Sequence, residues 1–353
     1  MSGKDGRNVV ITGGAGFVGS HAAEYYARKG WNVIALDNLS RPPVRGFGIN
    51  TKTYNWNYLN GMENVRLVRG SVLQQKTVDE LVSEADAVIH TAGQVAVTTS
   101  LEDPVGDFNT NVRGTFNVLE ACRKSRNNVS VVFCSTNKVY GENVNSIPVR
   151  SSGLRYSFSD SRYSKGIPES FPVDSCKHSP YGASKLSADI YVQEYGKTYD
   201  LRTACCRMSC IYGDRQFGSE DQGWVAHFVI SALLGRKLTI YGDGKQVRDV
   251  LYVDDLVKAY DSFIESKIPS GVFNIGGGHR NTMSLLELLG LLEKRLKSRI
   301  EPDYGDWRNS DQKVYVSDIS LAARKLRWKP EVGVEQGVYR LLDWASKTLR
   351  VPA

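Results

Sequence analysis

A glycine-rich turn between a short apolar strand and a helical segment constrains the fold of this chain more than any other feature. Residues 8–12 read NVVIT, a run of β-branched residues that is typical of a buried strand. The turn over 12–19 reads TGGAGFVG, and apolar residues at helical spacing follow over 18–29. Because glycine lets main-chain N–H groups approach a pyrophosphate at a helix N-terminus, this order of strand, turn and helix predicts a dinucleotide site.

The alternation of strand and helix continues along the chain. The further predicted strands are 32–36, 65–69, 87–90, 130–134, 202–207, 237–241 and 272–275, and the further predicted helices are 77–83, 111–124, 179–198, 223–234, 254–266 and 284–297. Repeated βα units predict an α/β fold with a doubly wound parallel sheet, the Rossmann architecture. We expect this dinucleotide-binding domain over residues 1–207. A smaller α/β substrate-binding lobe is expected over residues 208–353, with one segment returning to the sheet.

Residues 142–180 interrupt this alternation. The segment is rich in Ser, Arg, Tyr and Pro and has no sustained periodicity. It is long for a connecting loop, and loops of this length are usually functional lids or disordered. We expect it to lie near the active site, and its sequence leaves both alternatives open.

Composition and charge exclude several other classes of protein. The 353 residues are 41% hydrophobic and 24% charged, which excludes a disordered chain. The net charge of +7 is spread out without a basic run, so we expect no nucleic-acid partner, and the charge equally suits an anionic small ligand. No segment reaches the roughly 18 apolar residues of a membrane span and no signal peptide is recognisable, which predicts a cytoplasmic protein without a membrane partner. The six cysteines lack metal-ligand spacing, so no metal site is expected.

An acidic residue at the end of the second predicted strand indicates which dinucleotide is bound. Asp37 follows Gly19 by eighteen residues, close to the roughly 20 expected for the carboxylate that holds the adenosine ribose. A carboxylate there repels a 2′-phosphate and favours NAD over NADP, although the nearby Arg41 could accommodate that phosphate. Asp37 could also be a solvated acid, but its spacing favours the ribose contact.

A tyrosine and a lysine in the helix predicted at 179–198 are candidates for proton transfer. Tyr181 and Lys185 are four residues apart and share one helix face. A nearby lysine and a nicotinamide cation can lower a phenol pKa, and a change from about 10 to about 7 needs about 4 kcal/mol. The phenolate could then take a hydroxyl proton while hydride leaves the same carbon. Thr136 follows a strand at the edge where such sheets bind ligands, and could hydrogen-bond the reacting oxygen.

Together these segments resemble the extended short-chain dehydrogenase/reductase family, which comprises NAD-dependent sugar-nucleotide epimerases and dehydratases. The similarity covers nearly the whole chain. Its motifs are TGGxGFxG at 12–19, DNLS at 37–40, NVxGT at 111–115, STxxVYG at 135–141, YxxxK at 181–185, Arg207 before Tyr212 and Gly213, and GDGKQVRD at 242–249. The resemblance implies a sugar-nucleotide substrate and NAD as the cofactor.

The resemblance also implies individual roles. The implied catalytic residues are Thr136, Tyr181 and Lys185. The implied NAD-binding residues are Gly13, Gly16, Phe17, Val18, Asp37, Asn38, Ser40, Arg41, Ser71, Val72, Ala92, Gly93, Gln94, Tyr181 and Lys185. The implied substrate-binding residues are Gln94, Thr98, Asn137, Lys138, Ser209, Gln222, Arg248 and Arg308. The two arginines are candidates for the diphosphate. Either could instead be a surface arginine, and this alternative is less favoured for Arg248, which lies inside a family motif, than for Arg308. Ser71 stands where the family usually has an aspartate that touches adenine, which leaves the main-chain contact at Val72 and removes the usual carboxylate.

Several stretches are similar to one subgroup, the 2-epimerases of the CDP-paratose/CDP-tyvelose type. They are AGQVAVTTS at 92–100, STNK at 135–138, HSPY at 178–181, YGDRQF at 212–217, DQGW at 221–224 and SDQ at 310–312. Family dehydratases and decarboxylases place acidic residues directly after the catalytic hydroxyl residue, whereas this chain has Asn137 and Lys138 there. Elimination of water is therefore disfavoured. The similarity implies transient oxidation by NAD, rotation of the ketone and return of hydride to its other face.

Two alternatives remain open at this stage. Epimerisation at C4 of a UDP-sugar would use the same three catalytic residues, so a CDP-sugar is favoured and a UDP-sugar is possible. A non-catalytic NAD-binding relative, sensing NAD or associated with RNA, is weakly supported by the charge and is opposed by the intact Tyr181, Lys185 and Thr136. By analogy with the family we expect a homodimer or homotetramer. Helices 114–124 and 179–198 could form the dimer interface, although their apolar faces equally fit burial within one chain. His21, His90 and His178 are expected to be structural.

Overall fold

The computed structural model describes residues 6–44, 46–308 and 311–351. Ser310, in the predicted SDQ stretch, lies outside the described residues. The strands are β1 Asn8–Thr12, β2 Asn32–Asp37, β3 Val65–Arg69, β4 Ala87–His90, β5 Ser130–Thr136, β6 Val149–Ser152, β7 Arg155–Phe158, β8 Arg202–Met208, β9 Cys210–Tyr212, β10 Thr239–Tyr241, β11 Val247–Tyr252, β12 Ser270–Ile275, β13 Thr282–Ser284, β14 Asp303–Gly305 and β15 Val314–Tyr315. The α-helices are α1 Phe17–Arg28, α2 Tyr54–Leu59, α3 Gln75–Val82, α4 Val97–Glu102, α5 Pro104–Phe108, α6 Gly114–Lys124, α7 Pro180–Thr198, α8 Trp224–Leu233, α9 Val253–Ile264, α10 Leu285–Leu296, α11 Ser320–Lys325 and α12 Val334–Leu349.

A parallel sheet covered by helices on both faces forms the centre of the molecule. In the described ranges it contains seven strands in the order β3-β2-β1-β4-β5-β8-β12. Its central strands are almost wholly apolar because both faces are buried. The predicted doubly wound α/β fold is confirmed, and β12 joins the sheet from the second half of the chain. None of the described helices combines the length and the apolar character that crossing a membrane requires.

A second, smaller group of elements follows residue 207. Strand β11 pairs with β9, β13 and β15, and β10 pairs with β14. Helices α8, α10 and α12 supply the apolar side chains of this lobe, among them Val229, Leu288 and Leu341. Helix α9 instead contributes Tyr260 and Phe263 to the core beneath the large sheet.

The predicted elements agree with the observed ones to within two residues at either end, with one exception. The helix predicted over 111–124 begins in a π-helical turn, Asn109–Arg113, and continues as α6. Such turns are rare and are often found at functional sites. The short helices α2, α4, α5 and α11 and the long helix α12 were not predicted.

Segment 142–180 contains an ordered hairpin docked on the smaller lobe. Strands β6 and β7 pair in antiparallel fashion. The Arg155 guanidinium donates to both carboxylate oxygens of Glu287 at 2.7 Å, and Glu287 completes the capping box of α10 with Ser284. Tyr156 donates to Asp243 at 2.5 Å. The sequence did not indicate this order because the partners of Arg155 and Tyr156 lie far along the chain.

A buried ion pair ties three parts of the structure together. Asp189 of α7 accepts hydrogen bonds from Arg207 of β8 at 3.0 and 3.1 Å and from Ser135 of β5 at 2.6 Å. Arg207 also donates to the main-chain oxygen of Glu169 at 3.2 Å and to the Tyr140 hydroxyl at 3.3 Å. Burial alone would raise the pKa of Asp189, but the charge and hydrogen bonds of Arg207 lower it. Through the bond to Glu169, Arg207 thus holds segment 142–180 against the sheet.

Replacing Arg207 with methionine tests this network. The variant leaves the Asp189 carboxylate buried without its cation, which typically costs about 3–5 kcal/mol of stability. We expect a clearly lower urea midpoint by circular dichroism and faster tryptic cleavage within residues 142–180. Arg295→Met is the matched control, because the pair between Arg295 and Asp343 is exposed on both sides and should contribute little. Equal midpoints for the two variants would show that the network does not hold the fold together.

Candidate active site

The glycine-rich turn connects β1 to α1, and main-chain atoms pack so closely around it that side chains would not fit at Gly13 or Gly19. Gly13 has a φ of +69°, and a Cβ there would lie 2.7 Å from the main-chain nitrogen of Ala92. A Cβ on Gly19 would lie 2.1 Å from the oxygen of Gly13. No described side chain caps the N-terminus of α1 at Gly16, so the first N–H groups, including those of Phe17 and Val18, are available to a phosphate. These residues fit the pyrophosphate of a dinucleotide.

Asp37 lies beside this turn at the end of β2. Its carboxylate accepts hydrogen bonds from the main-chain N–H groups of Ala15 at 2.9 Å and Leu39 at 2.8 Å. Burial raises the pKa of Asp37, and these N–H groups oppose the increase. Gly16, Asp37 and Arg41 line one pocket beside the turn. The Arg41 guanidinium donates to the main-chain oxygen of Phe217 at 3.0 Å.

Other predicted cofactor residues are used in local turns. The Asn38 side chain accepts from the main-chain N–H of Ser40 at 3.0 Å. The Ser71 hydroxyl accepts from Leu73 at 3.2 Å. Val72 is buried, and its main-chain oxygen accepts from Asn117 at 2.9 Å. The hydroxyl that replaces the family's usual aspartate therefore closes a turn.

Tyr181 and Thr136 come together at the carboxyl edge of the sheet. Thr136 ends β5, and Tyr181 lies in the first turn of α7, which begins with Ser179 as its N-cap and Pro180 as its first residue. Both side chains are buried, and the Thr136 hydroxyl is close enough to the phenol to lower its pKa. The main-chain N–H of Tyr181 donates to the Ser100 hydroxyl at 3.1 Å. The two hydroxyls therefore lie near each other, and the role predicted for Thr136 on the reacting oxygen stays a prediction.

Lys185 lies one helical turn further on and is also buried. Its ammonium donates to the main-chain oxygen of Cys134 at 2.6 Å and lies 4.2 Å from the centre of the Phe133 ring. Burial lowers the pKa of Lys185. Burial raises the pKa of Tyr181 to about 12, and the nearby Thr136 hydroxyl opposes this increase. The lowered phenol pKa expected from the sequence is not found in this structure, because burial is the largest influence on the phenol.

Charged side chains cluster beyond Thr136. Asn137 accepts from the Thr136 hydroxyl at 3.4 Å. Burial and the charge of Arg248 lower the pKa of Lys138, while Asp311 raises it. Arg248 donates to the Asp311 carboxylate at 2.6 Å. Lys138, Arg248 and Asp311 therefore lie in one electrostatic cluster.

Arg308 lies in a separate group of side chains. It donates to the main-chain oxygen of Glu220 at 3.1 Å and to its carboxylate at 3.3 Å, and it lies 4.1 Å from the centre of the Tyr241 ring. Both arginines that were predicted to bind a diphosphate therefore have a carboxylate partner in this structure.

Several other predicted residues have side chains bonded within the protein or lie at the surface. The Gln94 amide donates to the main-chain oxygen of Ala96 at 2.8 Å and to the carboxylate of Asp107 at 2.9 Å. The Ser209 hydroxyl donates to the main-chain oxygen of Asp249 at 2.9 Å. Three more predicted residues lie as follows: Thr98 is exposed on α4, Gln222 exchanges main-chain hydrogen bonds with Ser219, and Gly93 lies against Asn111. Their contacts with a ligand stay predictions.

The side chains of His21, His90 and His178 make contacts within the protein, in keeping with the structural roles expected for them. His90 lies between the hydroxyls of Thr12 at 2.6 Å and Thr115 at 3.0 Å, and burial lowers its pKa to about 3. Burial lowers the pKa of His21 to about 3 as well. His178 hydrogen-bonds the main-chain oxygen of Val139 at 2.9 Å.

Sequence reasoning missed one buried carboxyl group near this site. Asp107 is 1% exposed and binds Gln94 and Asn111. A signal was available, because Asp107 precedes Asn111 of the NVxGT motif by four residues and so shares its helix face.

Comparison with known proteins identifies the family. The sequence profile described as the NAD dependent epimerase/dehydratase family matches residues 9–276. A CDP-paratose 2-epimerase from Salmonella typhi is 39% identical over 352 residues, which cover 96% of this chain and 99% of that protein. The structure of a UDP-glucose 4-epimerase from Thermotoga maritima with UDP-glucose has a TM-score of 0.81 at 30% identity, covering 97% of this chain and 99% of the other.

A further solved relative contains the cofactor. A UDP-glucuronic acid 4-epimerase from Bacillus cereus in complex with UDP-glucuronic acid and NAD has a TM-score of 0.80 at 26% identity, covering 96% of this chain and 99% of that one. The fold and the site define a Rossmann-type, NAD-dependent enzyme. The chain belongs to the NAD dependent epimerase/dehydratase family. The predicted family, enzyme class and NAD cofactor are thereby confirmed.

Gly19→Ala tests the turn as the cofactor site. Because the added Cβ would lie 2.1 Å from the Gly13 oxygen, the turn must open. We expect less NAD released from denatured protein and a lower melting temperature. Gly290→Ala in α10 is the control, since its Cβ would meet no described atom within 4 Å and alanine favours a helix by about 0.5–1 kcal/mol. Unchanged NAD content in Gly19→Ala would contradict the assignment.

Proposed function

We propose that this protein epimerises the hexose of a nucleotide-diphosphate sugar through a transient ketone, at C2 of a CDP-linked sugar of the paratose/tyvelose type. The observation that carries the proposal is the buried pair of Tyr181 and Thr136 at the sheet edge that also bears the glycine-rich turn. The 39% identity with a CDP-paratose 2-epimerase over almost the whole chain supports this substrate.

Tyr181 is the acid and base of this reaction. When bound, NAD supplies a reversible acceptor for the hydride of the sugar carbon. Tyr181 takes the proton of the hydroxyl on that carbon while Thr136 holds its oxygen, so the C–H electron pair can leave and a ketone forms. Lys185 stabilises the phenolate by its positive charge. Tyr181 would give the proton back to the same oxygen as the carbon regains its hydride on the other face of the ketone, so the carbon would be inverted without net oxidation.

The cluster beyond Thr136 favours epimerisation over elimination. Loss of water needs a carboxyl group to move protons, whereas Asn137 and Lys138 occupy the positions after Thr136. Lys138 lies near Arg248 and Asp311, so this wall of the site is cationic. A cationic wall suits the diphosphate and the hydroxyl groups of a sugar nucleotide.

We assign binding roles by domain. Residues 1–207 would hold NAD through the glycine-rich turn and Asp37, and residues 208–353 would hold most of the sugar nucleotide. Arg248 and Arg308 would exchange their carboxylate partners for the diphosphate. The free cysteines and the NAD cofactor favour a cytoplasmic location, which stays a prediction.

The second candidate function is C4 epimerisation of a UDP-sugar. The solved relatives with TM-scores of 0.81 and 0.80 are a UDP-glucose and a UDP-glucuronic acid 4-epimerase. The same three catalytic residues serve either carbon if the sugar is seated differently, so the substrate must be determined by assay.

Turnover of CDP-paratose and UDP-glucose by the purified protein in deuterated water distinguishes the two reactions. We expect a C2 epimer from CDP-paratose with no solvent deuterium at C2, measured by NMR. Tyr181→Phe should lower kcat by about 10²-fold or more while NAD stays bound, because the proton acceptor is lost. Tyr304→Phe, at an exposed position on β14, is the matched control and should keep full activity. A C4 epimer alone would favour the second function, and solvent label at C2 would contradict hydride transfer.

We also propose that two copies of the chain associate through α6 and α7. Phe116, Ile190 and Tyr191 are large apolar side chains exposed on these helices, and exposed apolar patches are typical of interfaces. Ile190→Glu should therefore give a monomer by size-exclusion chromatography with light scattering. Tyr304→Glu, in the smaller lobe, should leave the oligomer unchanged. A wild-type monomer would contradict this surface as an interface.

A further inference from the structure

Asp107 is a buried carboxyl group for which the proposed reaction has no role. One oxygen, Oδ1, accepts from the Gln94 amide at 2.9 Å and from the Asn111 amide at 3.1 Å. The other oxygen, Oδ2, is buried and accepts no hydrogen bond within the described ranges. A buried carboxylate with an unused oxygen is costly, so packing alone does not account for it.

Hydrogen bonds connect Asp107 to Tyr181 and to the loop that follows β4. Asn111 donates to the Ser184 hydroxyl at 3.0 Å, and Ser184 donates to the main-chain oxygen of Tyr181 at 3.1 Å. The side-chain oxygen of Asn111 also accepts from the main-chain N–H of Gln94 at 3.0 Å. Moving Asp107 would therefore move groups on both sides of the site.

Asp107 also interacts electrostatically with Tyr181 and Lys185. Burial raises the pKa of Asp107, while the nearby Ser184 hydroxyl, Gln94 and the Lys185 ammonium lower it. The charged and titratable groups that face Asp107 are Lys185 and Tyr181 from α7 and Asp103 from the start of α5. The negative charge of Asp107 raises the pKa of Tyr181 and that of Lys185.

We propose that Asp107 is a positioning residue, which holds Gln94 and Asn111 in place and sets through its charge the pH range in which Tyr181 can act as a base. The inference rests on the proposed function, because it assigns Tyr181 that role. Asp107 acts through Tyr181 and Lys185 and takes no proton from the substrate. It therefore explains why a carboxylate is retained at a buried position.

The sign of the effect follows from the charges. Removing the negative charge makes the phenolate of Tyr181 easier to form and the ammonium of Lys185 easier to deprotonate. Both limbs of the pH profile of kcat/KM should then move to lower pH. A nearby charge shifts a pKa by about one unit, which is the expected size of the change.

The test compares three variants with the wild type, using the sugar nucleotide that the wild type epimerises. Asp107→Asn keeps the shape and removes the charge, so both limbs should move down by about one pH unit. Asp107→Glu keeps the charge, so its limbs should stay near those of the wild type although kcat falls. Asp103→Asn removes a charge four residues away and keeps an N-cap on α5, so its profile should not move. An unshifted profile for Asp107→Asn, or an equal shift for Asp103→Asn, would overturn the proposal.

Folding of the variants is checked by circular dichroism and by NAD content. If Asp107→Asn does not fold, Asp107→Ser, which is also neutral, replaces it. Failure of both neutral variants while Asp107→Glu folds would show that the carboxylate is structural and would overturn the proposal.

A readout without turnover separates this inference from the proposed function. The phenolate absorbance of Tyr181 is obtained from the difference between each protein and the same protein carrying Tyr181→Phe. We expect this phenol to ionise at lower pH in Asp107→Asn than in Asp107→Glu. If the wild type turns over no sugar nucleotide but the phenol shifts as expected, only the proposed function fails. If the enzyme is active and the phenol does not shift, only this inference fails.

Discussion

Parallel strands bring all their carboxyl ends to one edge of a sheet, and the candidate active site depends on this constraint. The glycine-rich turn follows β1, Asp37 ends β2, Ala92 follows β4 and Thr136 ends β5. These residues are far apart in sequence, and the pairing of their strands makes them neighbours. Helix α7 then needs only to begin near the same edge for Tyr181 to reach Thr136. The strand order is therefore necessary for the candidate site to form.

This constraint explains which parts of the molecule could be predicted from the sequence. The turn, Asp37, and the meeting of Tyr181 with Thr136 follow from local spacing combined with one topological rule. The salt bridge between Arg155 and Glu287 could not be predicted, because it joins residues 132 positions apart that no periodicity relates. The docking of the hairpin, which depends on this salt bridge, was therefore not predictable. The ion pair of Arg248 and Asp311, and with it the cationic cluster, could not be predicted for the same reason.

Burial at this edge shifts the pKa values of Tyr181 and Lys185, the two ionisable groups of the proposed reaction, in opposite directions. It raises the pKa of Tyr181 and lowers that of Lys185, so it favours the neutral form of both. Each group nevertheless responds to any other charge nearby, because it titrates according to the sum of its surroundings. Local sequence motifs do not reveal such a charge. Asp107 is such a charge, and it lies on a helix that no catalytic motif includes.

Arg248 and Arg308 of the smaller lobe each form an ion pair that a bound anion could replace. Their carboxylate partners are Asp311 and Glu220. The side chain of Arg248 is only 12% exposed, so without an anion its guanidinium would bear a cost of desolvation. A diphosphate offers the same kind of oxygen acceptors with more charge, so it can replace a carboxylate without leaving the guanidinium unpaired. A ligand without phosphate would have to leave both ion pairs intact and would gain nothing from these residues. Under the proposed function, the exchange of anions at the two arginines would favour a nucleotide-linked sugar over the free sugar. The way the sugar lies against Tyr181 would then decide which carbon reacts.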